Sequence, residues 1–208
     1  AQQCESLGDI FLKKEEFDQA EDYLMRASDL YEAMKEQGAV QEVQNKLMFI
    51  FSQPKYLESR KQQIRDALKK PEAEKDSKLQ LALLSDLGNV LFMSNDWDEA
   101  ADVAKKTVAI HEKSGDKGAL SAALGNLGSI FMEKQDYTGS AENYVRSIEL
   151  KEELKDQKGL RELYGSYLNV LIMSGKMDEA EKLVKKSLKT HQSQKDMQAL
   201  MMDYRNLG

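Results

Sequence analysis

Apolar residues fall at Leu120, Leu124, Leu127 and Phe131, spaced three and four apart on one helical face. A polar turn, Gln135 to Gly139, interrupts the stripe. A second stripe follows at Ala141, Tyr144, Val145, Ile148 and Leu150. The pattern predicts two amphipathic helices joined by a tight turn. Further turns of the same kind stand at Asn95 to Glu99 and Gly175 to Glu179.

The alternation is periodic. Leu-Gly occurs at Leu7-Gly8, Leu87-Gly88, Leu127-Gly128 and Leu207-Gly208, at separations of 80, 40 and 80 residues. The period is therefore 40, with degenerate copies around Met48 and Leu168. Numbering copies from residues 1, 41, 81, 121, 161 and 201 gives every residue a repeat position. Position 17 is always large and apolar: Phe17, Leu57, Trp97, Tyr137 and Met177. Position 20 is small in Ala20, Ala100, Ser140 and Ala180, but Arg60 in the second copy. Position 24 holds Leu24, Ile64, Ala104, Tyr144 and Val184. Position 36 is Asp in Asp76, Asp116, Asp156 and Asp196. An Asp there can accept backbone N–H bonds and cap the next first helix, near its positive end.

These columns resemble the tetratricopeptide repeat family, whose pattern is W-x2-L-G-x2-Y followed by A-x3-F. Here it reads Leu84, Leu87-Gly88, Leu91 and Ala100, then Leu124, Leu127-Gly128, Phe131 and Tyr144. The first copy offers Cys4, Leu7-Gly8, Phe11, Ala20 and Leu24. The period of 40, longer than the usual 34, resembles the subclass of kinesin light chains and spindle-orientation adaptors. The resemblance implies an all-α fold, a right-handed superhelical solenoid of antiparallel helix pairs, as one domain over residues 1–208. Its repeats are expected near 1–38, 39–75 (degenerate), 76–115, 116–155 and 156–195, with a partial copy at 196–208.

The second copy departs most, with Met48 for Gly, Pro54 near the turn, Arg60 for Ala, and Pro71. Its second helix is expected to end near Lys70, with Pro71 to Lys75 as a connector, because proline breaks a helix interior. The fifth copy has Leu168 where Gly is usual, and Gly165 one turn earlier is expected to make the room. The segment Gly125-Asn126-Leu127-Gly128 could suggest a phosphate loop. It falls inside a predicted helix, whereas a phosphate loop needs free N–H groups ahead of one. Packing is the expected reason for these glycines.

Composition narrows the function. The chain is 41% hydrophobic and 32% charged with only 2 prolines, as expected of a soluble helical protein. The longest apolar runs are too short to span a bilayer, so no membrane insertion is expected. Cys4 is the single cysteine, which suits a reducing, cytoplasmic setting. Its opening Ala-Gln-Gln, without an initiator Met, and its stop inside a predicted first helix are those expected of a piece of a longer chain. The net charge of −6 argues against nucleic acid, which is bound by neutralising phosphates. Lys105-Lys106 and Lys185-Lys186 sit among acids and read as solvated faces. His111 and His191 share position 31 two copies apart, too far to hold one metal. No catalytic residue, metal or cofactor is expected, and no enzyme.

The resemblance places positions 2, 5, 6, 9, 12 and 13 of the first helices on the concave groove. Asn89 and Asn169 lie at position 9, Asn126 and Asn206 at position 6. An amide both donates and accepts, so it can pair with any peptide backbone; alternatively each bonds a neighbouring side chain. Phe92, Met93, Met132, Ile172 and Met173 follow at positions 12 and 13, lining the groove or packing between helices. Glu5, Asp9, Glu42, Asp86, Glu133 and Glu162 oppose Lys13, Lys46 and Arg205. The family's carboxylate-gripping members need cations where this chain has Ser85, Glu162 and Ser166. Chaperone C-terminal tails are therefore not the expected ligand.

The expectation is a protein–protein interaction scaffold, or adaptor, that binds a peptide segment of a partner in its groove. Its predicted contacts are Asn89, Asn126, Asn169, Asn206, Arg205, Phe92, Met93, Met132 and Met173. The alternatives are self-association through the open solenoid ends and a sensor domain attached to an effector.

Overall fold

The computed structural model describes residues 1–194, with side chains to Leu188. Arg205, Asn206, the Asp196 cap and the partial copy at 196–208 lie outside the described residues, as does the side chain of His191. Among the described residues there are eleven helices and no strand. They are α1 (Gln2–Lys13), α2 (Phe17–Ala33), α3 (Gln37–Phe51), α4 (Pro54–Leu68), α5 (Pro71–Lys75), α6 (Ser77–Met93), α7 (Trp97–Ser114), α8 (Lys117–Glu133), α9 (Tyr137–Glu153), α10 (Gln157–Met173) and α11 (Met177–Gln194). Outside the second copy, helices adjacent in sequence are adjacent in space, the order of a solenoid.

The turns repeat because their backbone chemistry repeats. Within four of the pairs one residue adopts the left-handed conformation: Glu15, Asn95, Gln135 and Gly175. The following N–H reaches back five residues, as in Glu16 N–H to Phe11 O at 3.0 Å and Asp96 N–H to Leu91 O at 2.9 Å. That closure satisfies carbonyls that a helix end leaves unpaired. The next helix starts are capped at the expected positions. The Asp76 carboxylate accepts from the Lys78 and Leu79 N–H groups, Asp116 from Ala119, and Asp156 from Gly159. Asp136 caps α9 in the same way, within a pair rather than between pairs.

The second copy breaks this pattern. Pro54 is the first residue of α4, where its fixed φ is pre-organised and its missing N–H costs nothing. Gln53 before it is held extended, as a residue preceding proline prefers. The turn is Ser52-Gln53 alone, without a left-handed residue. In consequence α3 packs on α2 but barely touches α4, while α4 packs on α6. The α4 helix ends at Leu68, close to the expected Lys70, and the connector Pro71–Lys75 is itself a short helical turn. Pro71 starts that turn for the same reason that Pro54 starts α4.

Beside its buried Tyr56, Leu57 and Ile64, α4 is tied to α7 by charges. The Lys61 ammonium, on a side chain almost wholly buried, lies 2.7 Å from both Asp96 and Glu58. Arg65 donates two bonds to Glu99, at 2.9 and 2.6 Å. Of these acceptors, Asp96 and Glu99 stand at the start of α7, and Glu58 is on α4 itself. Burial opposes the Lys61 charge, but hydrogen bonds to Asp96 and Glu58 outweigh it and hold its pKa above the usual lysine value.

Gly125 and Gly128 of α8 are close-packed: a Cβ on Gly125 would stand 3.3 Å from a Leu163 methyl. Gly128 is buried, and a Cβ there would stand 3.2 Å from the Tyr144 ring. Ser140 donates to the Gly128 carbonyl at 2.7 Å, so α8 and α9 meet backbone to side chain. Elsewhere along the same contact Ser121 and Ser147 exchange hydroxyl-to-carbonyl bonds at 3.0 and 2.7 Å, fully buried. Gly165 does not do what the fifth copy was expected to need: nothing lies within 4 Å of its Cβ position. Leu168 instead packs against Ala180 and the small Val184.

Candidate groove and cleft

The first helices α6 and α8 carry Asn89 and Asn126, and the structure brings both to one open cleft of about 360 Å³. Phe92 stands on its rim, 47% exposed, with its ring set edge-on to Trp97 at a centroid distance of 4.9 Å. Ser85 and Ser129 complete the polar rim. The floor is Gly88, Ala100 and Ala104, with Ala123 and Ile130 opposite. None of the lining side chains is charged.

The remaining candidates are dispersed. Asn169, Ile172 and Met173 are exposed on α10, and Met93 is exposed on α6. Met132 is half-buried. None of these five lines the cleft around Asn89 and Asn126. Sequence reasoning singled out Asn89, Asn126 and Phe92 but passed over Ala104, Thr107 and Ser129. The signal for Ala104 was present: it is the smallest residue in the position 24 column.

The amino-terminal charges expected on the groove are already paired internally. Lys46 on α3 lies 2.8 Å from Glu5 and 2.9 Å from Asp9, both on α1, and 3.6 Å from Glu42. The Tyr31 hydroxyl donates to Glu5 at 2.8 Å. The hydrogen bond from Lys46 is the main reason that the Glu5 carboxyl is held below its ordinary pKa. Lys46 loses solvation, yet Glu5 and Asp9 more than compensate and raise its pKa. A depressed Glu5 pKa adds stability above the ordinary carboxylate range, and this is lost as pH falls through the folded-state value. A raised Lys46 pKa adds stability that disappears only in strong alkali. The destabilisation caused by Glu5→Gln should therefore be full at pH 7 and fade as pH falls from the ordinary carboxylate range through the lower folded-state value. Urea titrations of both proteins across that range check it; a difference independent of pH would contradict it.

Carboxylates elsewhere on the first helices have no such partner. Asp86, Glu133 and Glu162 are exposed and make no ion pair among the described residues. Among those residues, no group of three or more His, Cys, Asp or Glu side chains could hold a metal. Among them, too, no helix is long and apolar enough to cross a membrane. The arrangement offers hydrogen bonding and apolar contact.

Two tetratricopeptide repeat models match the sequence, one over residues 80–114 and the other over residues 3–34 and 121–154. The chain belongs to the tetratricopeptide repeat family. Their coverage includes the pair that carries Asn89 and the pair that carries Asn126. No curated protein matches the sequence. Solved structures share the fold at low identity. BtubC (BKLC) from P. vanneervenii is 15% identical with a TM-score of 0.59, over 92% of this chain and 84% of that one. The TPR-like repeats from Podosopora anserina, described as kinesin light chain, are 14% identical with a TM-score of 0.57, over 92% and 96%. A STAND protein with a tetratricopeptide repeat sensor from Pyrococcus horikoshii is 15% identical with a TM-score of 0.58. This chain covers 32% of its length, and 98% of this chain is matched. The tetratricopeptide repeat is a protein-interaction module, and the chain is one of these.

Proposed function

We propose that this tetratricopeptide repeat chain is a scaffold that binds a peptide segment of a partner protein along its first helices, without chemistry. The observation that carries the reading is the convergence of Asn89 and Asn126, from successive first helices, on one open cleft beside Phe92. Both amides are exposed, so both are available to a ligand backbone. The exposed Asp86, Glu133 and Glu162 favour a segment that is not acidic.

Replacing both amides, Asn89→Ala with Asn126→Ala, should leave the fold intact, since neither is buried. Two lost hydrogen bonds at about 0.5–1.5 kcal/mol each weaken binding roughly 5- to 150-fold. The test begins with capture of partners from a cytosolic extract on the intact chain and on the double variant. The bound segment is then made as a synthetic peptide and titrated against both. Equal affinity for the two proteins refutes the amide contacts. Unfolding of the double variant makes these residues structural and removes the main support of the reading.

A further inference from the structure

The cleft exists because one helix pair lacks a side chain that its sister pairs possess. In the first pair, Leu24 is fully buried against Gly8, and a Cβ on Gly8 would stand 2.6 Å from the Leu24 Cγ. In the fourth pair, the Tyr144 ring covers Gly128 at 3.2 Å. In the third pair, position 24 is Ala104, and the nearest atom to a Cβ on Gly88 is a Val103 methyl at 3.9 Å. Ala104 is half-buried, whereas Leu24 and Tyr144 are buried.

The protein's own residues do not refill the slot. Phe92 stays on the rim, 47% exposed, with its ring edge-on to Trp97 rather than in the slot. The slot is also less polar than its residues suggest. The Thr107 hydroxyl donates to the Val103 carbonyl at 3.2 Å within its own helix. The Ser129 hydroxyl lies 2.8 Å from the Tyr144 hydroxyl and 3.2 Å from the Gly125 carbonyl. With no charged lining residue, a charged occupant would lose hydration without compensation.

We propose that this slot receives one uncharged, largely apolar side chain from a bound peptide, of leucine to tyrosine size, as the anchor of recognition. The size is set by the residues that occupy the equivalent space in the sister pairs. Asn89 and Asn126 flank the opening and hold the backbone on either side of the anchor, so the inference rests on the groove reading proposed above. A concave apolar site framed by a few convergent polar groups is how proteins commonly orient a ligand.

The test uses alanine-methyl NMR of the chain with three capped tripeptides, acetyl-Gly-Leu-Gly-amide, acetyl-Gly-Tyr-Gly-amide and acetyl-Gly-Glu-Gly-amide. The leucine or tyrosine probe should shift the Ala100 and Ala104 methyl signals saturably, and the glutamate probe should not. The variant Ala104→Leu supplies the missing side chain. It should keep the helical spectrum, raise Tm by filling the void, and abolish the shift of Ala100. The idea is overturned by no saturable shift up to the solubility limit, by equal response to the glutamate probe, or by unchanged response in Ala104→Leu. The two readings fail separately. If Asn89→Ala with Asn126→Ala loses a longer groove peptide that Ala104→Leu still binds, the groove stands and the anchor slot falls. If the apolar probes bind the double-Asn variant normally but not Ala104→Leu, the slot stands and the amide contacts fall.

Discussion

Gly8→Ala lowers the unfolding free energy by about 2 kcal/mol, while Gly88→Ala, the same change at the same repeat position, raises it by about 1 kcal/mol. Both glycines sit within a helix, so both variants gain the intrinsic preference of Ala over Gly, about 1 kcal/mol. What differs is the space. At Gly8 the new methyl would meet the Leu24 Cγ at 2.6 Å and Cδ2 at 2.8 Å. Cγ is the branch point of a fully buried side chain, so it cannot swing aside alone. The two helices must separate or Leu24 must leave its rotamer, at a cost of roughly 3 kcal/mol before the helix gain is subtracted. At Gly88 nothing approaches closer than 3.9 Å, and the methyl simply occupies part of the cleft. Urea unfolding of the two variants measures the contrast through their midpoints. Shifts of the same sign and size would mean that the two positions are packed alike, and that the void beside Ala104 is not a feature of the protein.

Lys61→Ala is expected to cost about 2–3 kcal/mol. Two charge-assisted hydrogen bonds, to Asp96 and Glu58, disappear, and bonds to charged groups are each worth more than neutral ones. Breaking a wholly buried pair costs about 3–5 kcal/mol because a charge is stranded. Here Asp96 is 43% exposed and can recover hydration, which places the expected loss below that range. Lys61→Met keeps the buried stem and removes only the charge, so its effect should be about half as large. The comparison matters because α4 has little apolar contact with α3. If Lys61→Ala is neutral, the docking of α4 is carried by its apolar contacts with α6, not by the charged clamp.

Several tertiary features were legible in the sequence because they are local. The Asp caps follow from backbone geometry within three residues of each carboxylate, and the turns from a fixed spacing between helix end and helix start. The packing role of Gly128 followed from its place on a predicted helix face. The second copy was less legible. Pro54 and Pro71 marked the irregularity, and each proved to start a helix. The separation of α3 from α4, and the transfer of α4 to Asp96 and Glu99 through Lys61 and Arg65, involve residues some 35 positions apart with no helical periodicity to reveal them.

The amides Asn89 and Asn126 show the same division. Asn89 and Asn126 stood out as polar residues on predicted first helices, and their positions followed from the period. The column Leu24, Ile64, Ala104, Tyr144 and Val184 was equally plain, and it determined which helix pair would lack a large side chain. Whether that lack becomes an open cleft was not in the column. A missing side chain leaves a void only if its neighbours cannot collapse into it. In the assembled structure the Phe92 ring lies edge-on to Trp97, and α7 packs on both α6 and α8, with the cleft open between them. Periodicity in one dimension determines which residues face each other; only the assembled helices determine which of those faces stay apart.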